Sequence, residues 1–275
     1  CEMNVFEQKI AHIKAQNPDL PDVTVASRDM DEYEQRKCDV YNHMQGGLSD
    51  GFDCPDCLNK GMIEVYANGE HRMRECKCME RRRVYRRIKA SGLGNVIERY
   101  TFDNFQTDEP WQSTLKRNAM AFADDPEARA FFVGGQPGCG KTHICTAICG
   151  ELLKNGRKLL YVPWRDLLAK LMAVRFDDAE YFDVLQKHRT ADVLYIDDLF
   201  KTQSGQAPTK AHFEFAFDVI NARYSMDGKI TLISSEHTIQ AMQGYDEAVA
   251  SRIAEMAGKY KYNLSGEEKN QRWKK

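Results

Sequence analysis

No stretch of the 275-residue chain is apolar for long enough to cross a bilayer, since a spanning helix needs about 20 such residues. The N-terminus also lacks the apolar core of a signal peptide. Net charge is close to zero, −2 at pH 7, which excludes a role in coating nucleic acid wholesale. No segment repeats and none is of low complexity, which excludes a solenoid or an array. These absences point to a cytoplasmic globular protein that does not meet a membrane. The chain starts on Cys1, which reads as a trimmed or partial sequence and not as a lipid-anchored cysteine. Nine cysteines is an odd count. Their placement, in two close pairs and in a run near a glycine loop, fits reduced thiols and not a secreted disulfide scaffold.

What the chain does carry is concentrated in local patterns. Gly135-Gln136-Pro137-Gly138-Cys139-Gly140-Lys141-Thr142 is a phosphate-binding loop: Gly, four residues, then Gly-Lys-Thr. It follows Ala130-Phe131-Phe132-Val133, which reads as a buried strand. It precedes Ile144-Cys145-Thr146-Ala147-Ile148-Cys149, the apolar part of a helix. Glycines let the backbone turn its N–H groups toward an anion, and the helix N-terminus adds partial positive charge. Lys141 is then placed to reach the outer phosphates of ATP, and the Thr142 hydroxyl to ligate Mg²⁺.

A second apolar strand, Val193-Leu194-Tyr195-Ile196, ends on Asp197-Asp198. Asp197 suits the water shell of the Mg²⁺. Asp198 suits a position nearer the γ-phosphate, where it orients or deprotonates the attacking water. A third strand, Thr231-Leu232-Ile233, ends on Ser234-Ser235-Glu236, a polar tip that can stand between metal and water. Ser251-Arg252-Ile253 opens an amphipathic helical turn. Arg252 is the candidate finger that enters a neighbouring subunit's site, so the chain is expected to self-associate at its ATP sites. Arg272, in Asn270-Gln271-Arg272-Trp273, is a further candidate.

Nearer the N-terminus, Cys54-Pro55-Asp56-Cys57 and Cys76-Lys77-Cys78 are separated by a hairpin-length spacer. Four thiolates so arranged suit a closed, structural Zn²⁺ site. Met62–Tyr66 and His71–Arg74 are the expected hairpin strands, joined at the turn formers Asn68 and Gly69. Cys38, His43 and His71 are alternative ligands, set aside while four cysteines are available. So small a unit cannot bury enough surface to fold alone, which leaves its stability to the metal. A basic helix follows. Nine Lys or Arg between 72 and 89 face only Glu75 and Glu80. Such a run suits DNA phosphates or an acidic protein face, and equally a solvated helix face.

The organisation expected is an N-terminal helical segment over 1–50, with an apolar stripe of Val5, Phe6, Ile10 and Ile13. A zinc unit with its basic helix covers 51–92, a linker 93–110, and an ATPase domain 111–275. In the last, strands at Phe131–Gly134, Lys158–Val162, Val193–Ile196, Ile230–Ser234 and Lys259–Leu264 alternate with helices. The fold class is α/β, a parallel sheet flanked by helices.

Taken in order, the loop with its following His143, Ile196-Asp197-Asp198, the Ser-Ser-Glu tip and Ser-Arg-Ile resemble the AAA+ ATPases of the DnaC/DnaI helicase-loader group. Tyr100-Thr101-Phe102-Asp103-Asn104-Phe105 ahead of the first strand is typical of that group. The cysteine pairs with their Arg-rich helix look like the zinc-bearing N-terminal part of its Firmicute and phage members. The resemblance implies an AAA+ sheet in which the strand ending at Ser234 lies between the phosphate-loop strand and the Asp197 strand. It implies a replicative hexameric DNA helicase and single-stranded DNA as partners. Gly135 to Thr142 corresponds to Walker A, Asp197 and Asp198 to Walker B, Arg252 to the arginine finger and Arg272 to a sensor arginine. Glu236 departs from the usual Asn or Thr, and the usual helical lid has little room after Gly258. Two rivals are a transposition-helper ATPase, which shares the core but lacks the zinc unit, and a non-catalytic, nucleotide-gated DNA-binding adaptor.

Overall fold

The computed structural model describes residues 12, 15–16, 30–50, 53–94, 96–202, 206–266 and 269–271. The helix expected over 1–16 lies outside these, apart from His12, Ala15 and Gln16, which are helical. The chain divides into two compact units, residues 1–79 and 80–275.

In the first unit, α1 (Met30–His43) packs on an antiparallel ribbon of β1 (Met62–Ala67) and β2 (Glu70–Glu75). The ribbon turns at Asn68 and Gly69, both at positive φ, as a tight hairpin requires. Asn42 docks α1 along the ribbon edge. Its amide donates to the Glu64 carbonyl and its carbonyl accepts from the Glu64 N–H, each at 2.9 Å. Among the described residues of this unit, the apolar cluster consists of Cys54, Cys57, Cys76 and Cys78 with Ile63 and Met79 against them.

In the second unit, the rest of α2 (Cys78–Ser91), α3 (Val96–Arg99) and α4 (Pro110–Asp124) precede the sheet. Then follow β3 (Ala130–Gly135), α5 (Lys141–Lys154), β4 (Leu159–Pro163), α6 (Trp164–Val174) and α7 (Asp178–Thr190). The remainder is β5 (Val193–Leu199), α8 (Lys210–Tyr224), β6 (Ile230–Ser235), α9 (Ile239–Gln243), α10 (Glu247–Ala257), a 3₁₀ turn (Gly258–Tyr260) and β7 (Lys261–Leu264). The strands lie in the order β4-β5-β6-β3-β7, all parallel. The strand ending at Ser234 thus stands between the phosphate-loop strand and the Asp197 strand, as the AAA+ resemblance implied.

Strands buried on both faces explain the unbroken apolar runs of the sequence. Phe131 and Val133 face α4 and α5, meeting Phe122, Ile144 and Ile148. Phe132 faces the other way, with Leu171, Val219, Ile220 and Ile253. Each such side chain contributes about 1.5–3 kcal/mol on burial. The sequence reading missed α4, although Pro110 at its first turn and the Glu109–Gln112 capping box announce it. Arg252 lies within α10, which the Asp246 side chain caps at Val249 N. The helical turn read at Ser251 is therefore the middle of a longer helix. The end of the basic run is also not a uniformly solvated face. Arg82 is buried, and Arg87 donates to the Leu153 carbonyl at 3.0 Å.

Arg223 on α8 is a buried guanidinium. It donates to the carbonyls of His188, Arg189 and Ala191 at the end of α7, to the Ile230 carbonyl and to the Thr231 hydroxyl. Burial draws its pKa down to about 10, so it stays charged at neutral pH and completes the C-terminus of α7. Arg223→Leu leaves these acceptors buried without a donor. A loss of about 3 kcal/mol or more is expected in urea unfolding, and a loss below about 1 kcal/mol would contradict that reading.

Candidate functional site

The phosphate loop bends where its glycines permit. Gly135, Gly138 and Gly140 have φ of 148°, 83° and 82°. At Gly135 a Cβ would stand 1.9 Å from the Leu264 carbonyl oxygen of β7, so the loop can leave the sheet there only on glycine. Gly140 is also the N-cap of α5 and brings no side-chain acceptor. The first N–H groups of α5 are thus left for another acceptor. Lys141 is buried beneath the loop and donates to the carbonyls of Gly135 and Gln136 at 2.8 and 2.9 Å.

Thr142 turns the other way. Its hydroxyl donates to Asp197 Oδ1 at 3.2 Å. The same oxygen accepts from the Tyr195 hydroxyl at 2.7 Å and from the Ser234 hydroxyl, while Tyr161 donates to Oδ2 at 3.3 Å. Burial, with negative groups beside them, pushes the Tyr161 and Tyr195 phenols up, so both remain fixed donors. The two Walker-type segments, 55 residues apart, therefore meet side chain to side chain.

Successive residues of a regular strand face opposite ways. At the tip of β5 the register with β6 is broken between Ile196 and Leu199, and Asp198 and Phe200 take φ of 55° and 65°. Backbone strain of this kind costs about 1–3 kcal/mol per residue. Here it turns Asp198 into the cleft while Asp197 stays in its hydroxyl cage. The Ser234 hydroxyl also accepts from the Asp198 N–H at 2.8 Å. Lys201 bridges the tips of β5 and β6, 2.7 Å from Asp198 and 3.0 Å from Glu236. Glu236, which departs from the usual sensor residue, thus has its own counter-ion.

Around the loop lies a cleft of about 480 Å³, bordered by Pro137 to His143, Asp198, Lys201 and Glu236. That falls in the range of small-molecule sites. Tyr100, Asn104, Phe105, Gln106, Gln112 and Gln271 also border it, and none of them, nor Lys201, was assigned to the site from the sequence. His143 holds the aromatic segment in place. It donates from Nε2 to the Thr101 carbonyl and to Asn104 Oδ1, and its ring packs between Tyr100 and Phe105. Burial pushes its imidazole below the ordinary histidine range. The Gln271 N–H donates to the Gly138 carbonyl at 3.1 Å. Arg252 borders a different region. Its guanidinium donates to Asn221 Oδ1 and the Ala248 carbonyl and lies 4.8 Å over the Phe217 ring. Arg272 lies outside the described residues.

The cysteines of the first unit converge. Cys54 and Cys76 are 3.8 Å apart at sulfur, and Cys57 and Cys78 are 3.5 Å apart. Tetrahedral zinc with Zn–S bonds of about 2.3 Å needs S···S edges of roughly 3.8 Å, whereas a disulfide needs about 2 Å. The donor set therefore fits a closed Zn²⁺ site. Burial opposes ionisation of Cys57, yet the Gly61 N–H and the neighbouring thiols outweigh it and bring this thiol down to about 7. Of the alternative ligands, Cys38 and His71 stand apart from this set, in a second group with Glu64. Because the thiol cluster is the core of the unit, stripping a bound zinc or making Cys54→Ser is expected to unfold the ribbon. The metal held by these four thiols should be lost, and amide signals of β1 and β2 should collapse. An unchanged ribbon would contradict the assignment.

Among the described residues no helix is long and apolar enough to cross a membrane. The chain is 32% identical over 225 residues to the phage-like element PBSX protein XkdC of Bacillus subtilis, covering 78% of this chain and 83% of that protein. It is 30% identical over 168 residues to the chromosomal replication initiator protein DnaA of Streptococcus agalactiae, covering 58% of this chain and about a third (35%) of that one. Among solved structures it is similar to the crystal structure of the DnaC helicase loader, at 17% identity and a TM-score of 0.49, over 62% of this chain and 99% of that one. The model of the IstB-like ATP binding protein family matches residues 60–253. With a phosphate loop joined to a strand-tip aspartate on a five-stranded parallel sheet, and a family match over most of its length, this chain is a member of the IstB-like ATP binding proteins.

Proposed function

We propose that the chain is an ATP-dependent loader that grips a replicative hexameric DNA helicase and helps to place it on single-stranded DNA. The observation that carries this reading is the combination, in one chain, of an ATP-binding AAA+ core with a four-thiol N-terminal unit. The likeness to a chromosomal replication initiator favours a replication setting. In this reading residues 1–50 and the zinc unit over 51–92 meet the helicase, 93–110 link, and 111–275 bind and hydrolyse ATP.

The chemistry assigned to the cleft follows from charge and position. Gly135 to Thr142 hold the phosphates with backbone N–H groups, and Lys141 leaves its two loop carbonyls to pair with the outer phosphates. Mg²⁺ would sit between the Thr142 hydroxyl and Asp197, which already touch. Asp198 orients the attacking water. Arg252 is assigned to a neighbouring subunit's site, because it is not among the residues that border the cleft of its own chain. One observation favours the second reading, a non-catalytic, nucleotide-gated adaptor: Lys201 occupies Asp198, the group needed to activate water.

Two measurements test the proposal. In co-elution, the intact chain should bind a replicative hexameric helicase. Capture of a transposase–DNA complex in its place would support the transposition-helper reading. Arg252→Ala should keep ATP affinity within about twofold and lower turnover about tenfold or more. Loss of binding would remove Arg252 from the trans role, and no turnover in the intact protein with single-stranded DNA would favour the adaptor.

A further inference from the structure

We propose a second metal site in the N-terminal unit, formed by Cys38, His71 and Glu64 and distinct from the four-cysteine site. Its class of ligand is a borderline divalent transition ion, with Zn²⁺ foremost. The three residues come from three elements: Cys38 from α1, Glu64 from β1 and His71 from β2. Their ligand atoms all lie within 4.8 Å of one another. Cys38 Sγ is 3.5 Å from His71 Nδ1, and Glu64 Oε1 is 3.0 Å from the same nitrogen. Tetrahedral bonds to S, N and O of about 2.0–2.3 Å put ligand atoms roughly 3.3–3.7 Å apart. The sulfur–nitrogen pair has that spacing, and the carboxylate reaches it by withdrawing a few tenths of an ångström.

The orientation of His71 is the strongest argument. Its other nitrogen, Nε2, faces Glu34 Oε2 at 3.0 Å. A metal-bound histidine typically donates its second N–H to a carboxylate in this way, which fixes tautomer and ring. Nδ1 of the same ring faces the Glu64 carboxylate and the Cys38 sulfur. A cation accepts all three lone pairs, and thiolate, carboxylate and a 2+ ion sum to no net charge. Glu34 is itself held by Lys37 at 2.9 Å, and the His71 ring packs on Tyr66, 5.1 Å between centroids. Cys38 is fully buried and shares a helix face with Glu34, one turn earlier. With three protein ligands the site keeps one coordination position open, unlike the closed four-cysteine site. The ion would clip α1 to both strands of a ribbon that has little apolar core of its own.

The test is metal stoichiometry on the intact chain, purified, equilibrated with Zn²⁺ and freed of excess. Two ions per chain are expected. Cys38→Ser, and separately the surface variants His71→Gln and Glu64→Gln, should each lower this to one, and Cys54→Ser, which unfolds the ribbon that carries Glu64 and His71, should release both. Replacement by Co²⁺ gives an independent reading. Thiolate charge-transfer absorption should fall by about one fifth in Cys38→Ser, since one of five ligating sulfurs is lost. One ion per chain, with stoichiometry and cobalt spectrum unchanged in Cys38→Ser and in both surface variants, would overturn the proposal. A single ion lost only with Cys38, and retained in Cys54→Ser, would instead sink the four-cysteine site and leave this one standing.

Discussion

The contact between Thr142 and Asp197 is the constraint on which the rest of the nucleotide site depends. It exists only because β6 lies between β3 and β5 and because both outer strands end at the same edge of the sheet. The sheet order sets the distance, and the apolar faces set the sheet order. Phe131, Phe132, Tyr195, Ile196, Leu232 and Ile233 are all buried, so a slip by one residue would exchange side chains between the two packed faces and disrupt both. A hydroxyl and a carboxylate brought together at a strand edge next to a glycine loop are the parts of a magnesium-nucleotide site. The hydroxyls of Tyr161, Tyr195 and Ser234 hold Asp197 in place, and that preorganisation is what a metal ligand requires.

Much of this was legible because the signals are local. The glycine loop, the strand ends at Asp197 and Ser234, and the two cysteine pairs each lie within a few residues, and their physics does not need the rest of the chain. Other parts depend on tertiary approach. Nothing in the run Asp198 to Lys201 reveals that the strand bends back through a left-handed residue, or that Lys201 reaches across to Glu236. The aromatic segment before the first strand was noticed as a pattern, but its place beside His143 was not. Helix α4 was within reach, since its capping box and apolar spacing are sequence signals.

The N-terminal unit obeys a different economy. Its ribbon is solvent-exposed along β2, and its buried cluster is made of thiols. Four converging thiols suit cross-linking by a metal, which would do there what apolar burial does in the second unit.

The central claim is that the loop around Gly138 clasps the phosphates of ATP with Lys141 as counter-ion. Titration calorimetry of the intact protein with Mg²⁺-ATP tests it most directly. Saturable binding at one site per chain, weakened about tenfold or more in Lys141→Ala, is the predicted result. No heat from well-folded protein, or equal affinity in the variant, would contradict the account.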